Sequence, residues 1–230
     1  MTEARHSRWA DRIFRPYLHG IMVRSFHAVR LLGQPPDPPR DVPLIVVGNH
    51  GTWWDGFFVY VLNKEVLHRR LYVMMLEEQL RKYPFFRRIG AFGISQGKVG
   101  GVRAALSYSS DLLGDPSHCL CMFPQGTMHR LHDRPLGFRR GLATILALYG
   151  GEASLLPLAI ACEFLGERRP EAFLLADRVF RLDGATFKGM EWLESEQAAQ
   201  MDRLDEMIAA KERGRSLVGG KEPGSTGLKP

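Results

Sequence analysis

The sequence predicts an α/β protein: a mixed, largely buried sheet flanked by helices and preceded by an N-terminal amphipathic helical segment. Short apolar runs bounded by turn residues alternate with longer runs of helical periodicity. The 230 residues, 45% hydrophobic and 24% charged, are enough for one domain with a real core and terminal extensions. Residues 1–33 carry six arginines (Arg5, Arg8, Arg12, Arg15, Arg24 and Arg30) against Glu3 and Asp11, with Trp9, Ile13, Phe14, Tyr17 and Ile21 at helical spacing.

That first segment has two readings. Its Trp, Tyr and arginine content suits helices lying on an anionic membrane surface, with rings at headgroup level. It equally suits a helix that packs on the domain and leaves a solvated basic face. Residues 34–39 follow as a stiff proline-rich linker, since Pro35, Pro36, Pro38 and Pro39 exclude helix and ladder pairing.

Residues 40–213 form the main domain. Leu44–Val47 reads as a buried strand, and Gly56–Leu62 as a helix because it follows Asp55. Leu71–Met75 is the next strand, and Glu77–Phe86 a short helix broken at Pro84. Gly101–Leu113 has helical periodicity and a stop at Gly114. Cys119–Phe123, Leu155–Ile160 and Ala172–Ala176 read as strands, with Gly141–Tyr149 a helix between the first two. Lys188–Arg213 is a long charged helix, and the Gly, Ser, Lys and Pro content of residues 214–230 predicts a disordered tail.

Two strand ends carry chemistry. Asn49-His50-Gly51-Thr52-Trp53-Trp54-Asp55 follows the first buried strand. Histidine titrates near neutrality and serves as a general base, and a carboxylate on its second ring nitrogen fixes the tautomer and supports the imidazolium. On one continuous helix, residues five apart diverge by roughly 140°. The pair therefore meets only if His50 ends the strand and Asp55 lies in the first turn of the helix. The second segment, Phe123-Pro124-Gln125-Gly126-Thr127, also ends a strand and offers backbone N–H groups to an oxyanion or a phosphate.

The order of these segments resembles the glycerolipid acyltransferase superfamily, the group of lysophosphatidic acid and glycerol-3-phosphate acyltransferases. His50 and Asp55 match its HxxxxD pair, and Phe123, Pro124, Gly126 and Thr127 its FPEGT segment about seventy residues later. Phe138-Arg139-Arg140-Gly141 matches the FKxG follow-on, and Leu155-Leu156-Pro157-Leu158 the final proline-containing strand. The resemblance covers roughly residues 40–165. It implies an O-acyltransferase of the 1-acylglycerol-3-phosphate acyltransferase type, working in phospholipid biosynthesis. The acyl donor is acyl-CoA or acyl carrier protein and the acceptor a lipid alcohol, with no tightly bound cofactor and no metal. It places the protein peripherally on the cytoplasmic face of a membrane.

Departures from the pattern concern the acceptor. Gln125 stands where the family has glutamate, and Met128 where phosphate-reading members have arginine. Gln96 likewise occupies an arginine position of the G-x-x-x-x-x-R segment. A neutral amide cannot give phosphate the charge-assisted fork of a guanidinium. Lys98, Arg103, His129 and Arg130 are near enough in sequence to substitute. The expected site is thus His50 and Asp55 for catalysis, with Gln96, Lys98, Phe123, Pro124, Gln125, Gly126, Thr127 and Arg130 binding substrate. A thioester or ester hydrolase on the same fold, or a non-catalytic lipid-binding protein with Gln125 and Met128 marking lost chemistry, are the competing readings.

Other classes fit less well. The net charge of +6 allows nucleic acid, membrane or anionic substrate as partner, but the helical amphipathicity of the arginine-rich segment favours lipid over nucleic acid. Three cysteines (Cys119, Cys121 and Cys162) do not make a disulfide framework. A zinc site from His118, Cys119, Cys121, His129 and His132 has an uncommon ligand spacing. There is no Walker loop, no G-x-G-x-x-G, no G-x-S-x-G elbow and no run of about 18 apolar residues.

Overall fold

The computed structural model describes residues 1–97 and 99–220. Its centre is a run of parallel strands whose side chains are buried on both faces, which is why they read as unbroken apolar stretches. β2 (Leu44–Gly48) pairs in parallel with β5 (His118–Met122) on one side and with β6 (Ala153–Glu163) on the other. β3 (Arg70–Leu76) lies between β5 and the edge strand β4 (Ala91–Ile94), again in parallel. Helices α2 (Asp55–Leu62), α4 (Val99–Leu112), α5 (Gly141–Tyr149) and α6 (Met190–Ala209) supply the flanking layers. The helix expected over 77–86 is divided at Tyr83, with α3 (Glu77–Lys82) before Pro84 and a 3₁₀ turn (Pro84–Ile89) after it.

Beyond β6 the sheet becomes mixed. β7 (Glu171–Leu175) runs antiparallel to the distal half of β6, and β8 (Phe180–Leu182) pairs with its first three residues. This division explains why β6 is nearly twice the length expected from its apolar run. The order across the described residues is β4-β3-β5-β2-β6-β7, followed by two strands from the chain's flanking segments.

Those two strands correct the sequence reading at both ends. β1 (Ala28–Leu32) belongs to the stretch assigned to interface helices, yet it is fully buried between β7 and β9 (Arg215–Gly219). Arg30 hid it: a guanidinium inside an apolar strand is tolerated only with a partner, and Glu171 on β7 supplies one at 2.8 Å. β9 lies in the stretch assigned to a disordered tail. Gly214, at φ +55°, turns the chain into it, where a Cβ would collide with the Leu31 carbonyl oxygen. Residues 221–230 of that expected tail lie outside the described residues.

α1 (Arg8–Ser25) is the amphipathic helix foreseen, and it packs on the domain. Phe14, Leu18 and Met22 are buried in the core that also holds α2, with the Phe14 ring 5.2 Å from that of Tyr60. The opposite face leaves Trp9, Ile13 and Tyr17 more than half exposed. The proline-rich segment that follows β1 is tied down rather than free: Pro36 and Pro38 are buried, and the Arg69 guanidinium donates to the carbonyls of Pro38, Pro39, Val42 and Pro116. No helix among the described residues is long and apolar enough to cross a membrane.

Candidate active site

Because β2 and β5 are parallel neighbours, with Val47 opposite Met122, their carboxyl ends deliver Asn49-His50 and Phe123-Pro124-Gln125 to the same crevice. Asn49 is buried where β2 stops. Its side-chain amide donates to the Ile160 carbonyl at 2.9 Å and accepts the Ile160 N–H at 2.8 Å, continuing the ladder to β6 for one more step. This fixes the direction in which the chain leaves the sheet.

The loop then wraps around Asp55, the first residue of α2 and fully buried. Oδ2 of Asp55 accepts from His50 Nδ1 at 2.8 Å, from the Gly51 N–H at 2.8 Å and from the Thr52 N–H at 2.9 Å. Oδ1 accepts from the Thr52 hydroxyl at 2.6 Å. The five-residue spacing follows from this geometry, since a strand end and a first helical turn are what bring the pair together. A carboxylate only accepts, so in the neutral imidazole the proton belongs on Nδ1 and the lone pair on Nε2. Nε2 has no partner among the described residues, and the side chain is one-quarter exposed.

Three further contacts hold His50, one through its ring and two through its main chain. Its ring stacks on Phe123, with centroids 4.7 Å apart and planes 23° from parallel. Gly48 permits this, because a Cβ there would lie 2.9 Å from the Phe123 ring. The His50 N–H donates to Gln125 Oε1 at 2.6 Å, and the His50 carbonyl accepts the His129 N–H at 2.9 Å. Gln125 is therefore buried behind the site and buttresses the base, rather than facing the crevice as a substrate contact. Either a carboxylate or an amide oxygen accepts an N–H, so the amide at this position keeps the local structure intact.

The remaining expected residues divide. Pro124 is buried, and its carbonyl accepts the Arg139 N–H at 3.0 Å. The Gly126 N–H is committed to the Phe123 carbonyl at 3.0 Å, so of the two donors foreseen for an oxyanion only that of Thr127 stays unpaired among the described residues. The Thr127 hydroxyl lies 3.0 Å from His129 Nε2. Gln96 reaches the same loop, donating to the Gly126 carbonyl at 3.2 Å. Arg130 lines a cavity of about 140 Å³ together with Gly51, Thr52, Asp55 and His129. Lys98 lies outside the described residues. The five candidate zinc ligands do not converge: no group of three or more metal-ligating side chains is gathered among the described residues.

One residue outside the expected site set also reaches this loop. Arg139 lies over the left-handed turn at Gly126 (φ +72°), its guanidinium carbon 2.9 Å from where a Cβ would stand. It restores a cation beside the loop that lacks arginine at 128. The signal was the basic pair Arg139-Arg140, but sequence spacing gives no hint that the chain folds back onto Gly126.

A family model described as Acyltransferase matches residues 33–161. No curated protein matches the sequence significantly. Among solved structures, the chain is similar to the 1-acyl-sn-glycerophosphate (LPA) acyltransferase PlsC from Thermotoga maritima, with 18% identity and a TM-score of 0.56 over 84% of this chain and 79% of that one. At that identity the likeness is one of fold. The family match spans more than half of the sequence and includes both strand ends that build the crevice, and the chain belongs to the acyltransferase family.

Proposed function

We propose that the protein moves a fatty acyl group from acyl-CoA or acyl carrier protein to a hydroxyl of a lysophospholipid- or glycerolipid-like acceptor. The observation that carries this reading is the buried Asp55 carboxylate on His50 Nδ1, which leaves Nε2 free to accept a proton. The acceptor O–H gives its proton to Nε2 as the oxygen attacks the thioester carbonyl. Asp55 supports the imidazolium that forms, and the Thr127 N–H is the donor nearest in character to an oxyanion contact. Collapse of the tetrahedral species breaks the C–S bond, and the thiolate takes the proton back from His50. No acyl-enzyme is involved. Labelled acyl-CoA supplied with a panel of lipid alcohols should yield labelled acylated acceptor. Release of free fatty acid alone would instead identify a hydrolase, and no turnover a binding protein.

Arg139 is the cation we assign to the acceptor. Arg139→Gln should raise KM for phosphate-bearing acceptors by about tenfold to a hundredfold, the range for losing a hydrogen bond to a charged group, with kcat nearly unchanged. An unchanged KM would mean that the acceptor phosphate, if present, is read elsewhere.

We also propose a peripheral place on the cytoplasmic face of an anionic membrane, and exposed side chains support the membrane contact. Trp9, Ile13 and Tyr17 form an exposed stripe at four-residue intervals on α1, flanked by Arg5, Arg8, Arg12 and Arg15. At the crevice end of the sheet Trp53, Met128, Phe164 and Leu165 are also more than half exposed, with Arg168 and Arg169 beside the last two. Deleting α1 would remove core residues, so the cleaner variant is Trp9→Ala/Ile13→Ala/Tyr17→Ala. It should bind vesicles containing phosphatidylglycerol at least about tenfold more weakly while melting near the wild-type temperature. Equal binding would remove α1 from the membrane contact.

A further inference from the structure

A second cavity, of about 440 Å³, lies at the opposite end of the sheet from His50. It opens where β3 begins, at Arg70 and Leu71, beside the end of α2 and the start of α1. Its polar wall is His6, Arg8, Asp11, Lys64, Arg69 and Arg70. Asp11 is the one acid among the lining residues, and it is already engaged: Lys64 Nζ lies 2.7 Å from Oδ2, and the Tyr60 hydroxyl donates to Oδ1 at 2.7 Å. Lys64 and Asp11 cancel, which leaves three guanidinium charges on one concave surface.

Among the described residues no carboxylate bonds directly to these guanidinium groups; Arg70 lies over the Tyr72 ring, 5.7 Å from its centroid, and Asp41 and Asp115 act on Arg69 and Arg70 only from a distance. Arg8 and Arg70 make no ion pair among the described residues, and the partners of Arg69 are neutral carbonyls. Two buried nitrogens of the wall, Arg69 Nε and His6 Nε2, have no hydrogen-bond partner among the described residues. Arg69 is 7% exposed, so its bare N–H is costly unless something fills the cavity. Ser7, also on the wall, does not cap α1 with its side chain, so the first-turn N–H groups are open as well.

We propose that this cavity binds a phosphate group, and that it is a site separate from the acyl-transfer crevice. A phosphate offers several acceptor oxygens to the converging donors, matches guanidinium geometry, and is favoured at an uncapped helix N-terminus. Burial and the neighbouring Arg70 push the His6 imidazole down to about 4, so His6 is neutral at physiological pH. The titratable groups that bear on it are Arg70, His118 and Asp11. A bound dianion would raise that value, giving a signal that needs no mutation. The phosphate can come from solution or from a lipid headgroup, since the exposed stripe of α1 runs beside the cavity.

The test compares the full chain with Arg8→Gln/Arg70→Gln and with Arg24→Gln/Arg213→Gln, which removes the same charge outside both the cavity and the exposed stripe. Inorganic phosphate at matched ionic strength is titrated while the His6 ring is followed by NMR, and vesicles of phosphatidylglycerol in phosphatidylcholine are used for flotation. A site for free phosphate predicts an upward His6 titration shift in wild type and control, and at least about tenfold weaker binding by the cavity variant. A headgroup site predicts that the cavity variant loses vesicle binding well beyond the control. If phosphate leaves His6 unmoved and both variants lose vesicle binding equally, the cavity is not a phosphate site. Arg70→Gln alone, a change at an exposed side chain, repeats the comparison should the double variant fail to fold. Acyl transfer to a detergent-dispersed acceptor should be unchanged in every variant, so failure here leaves the reading of the crevice untouched.

Discussion

His50→Ala is expected to slow acyl transfer by about 100- to 10,000-fold, the usual worth of a positioned general base. The loss should fall on kcat, because His50 is needed to take the hydroxyl proton as the transition state forms and contributes little to ground-state binding. The fold should survive, since the imidazole is partly exposed and the main-chain bonds to Gln125 and His129 do not depend on it. Steady-state kinetics with labelled acyl-CoA beside a thermal melt would decide the matter. A variant that transfers acyl groups at the wild-type rate would exclude His50 as the base.

Asp55 should behave differently according to the replacement. Asparagine keeps one acceptor oxygen for His50 Nδ1, and the Thr52 hydroxyl can rotate to accept from the new amide. The loop therefore persists while the charge that supports the imidazolium is gone, and kcat should drop by about 100- to 10,000-fold with a modest change in melting temperature. Alanine is harsher. It takes the acceptor from the Gly51 and Thr52 N–H groups and from His50 Nδ1, at up to about 1–3 kcal/mol for a donor that water cannot reach and less for the exposed Gly51. Asp55→Ala should thus lose both activity and stability. Finding the two variants equally stable would mean that the carboxylate does not organise the turn.

The crevice was readable because its chemistry is local. His50 and Asp55 sit within one turn, at the end of an apolar run that cannot be anything but buried, and the geometry allows them one way to meet. The helices with strong periodicity were equally plain, and even the break at Pro84 follows from its ring. What escaped depends on residues far apart in the chain. β1 contains Arg30, which makes sense only once Glu171, 141 residues further on, stands beside it. Gln125 looked like a worn catalytic position because an amide replaces an acid. Its role rests on an acceptor oxygen aimed at a main-chain N–H, a property both side chains share. Arg139 was passed over for the same reason as β1: its contact with Gly126 is made through space by a loop that doubles back.

The placement of β1 bears on how the protein is made. It is synthesised before every other strand, yet its two neighbours come from Glu171–Leu175 and Arg215–Gly219. Until those segments emerge, the strand Ala28–Leu32 has open hydrogen-bonding edges, four apolar side chains with nowhere to go and, in Arg30, a guanidinium without its Glu171 partner. Closing loops of this length is entropically unfavourable before the contacts exist to reward it, so this half of the sheet assembles late. A chain stalled or trimmed before residue 215 would carry a completed crevice and a strand paired with β7 on one side and open on the other, an edge that recruits chaperones and seeds aggregation.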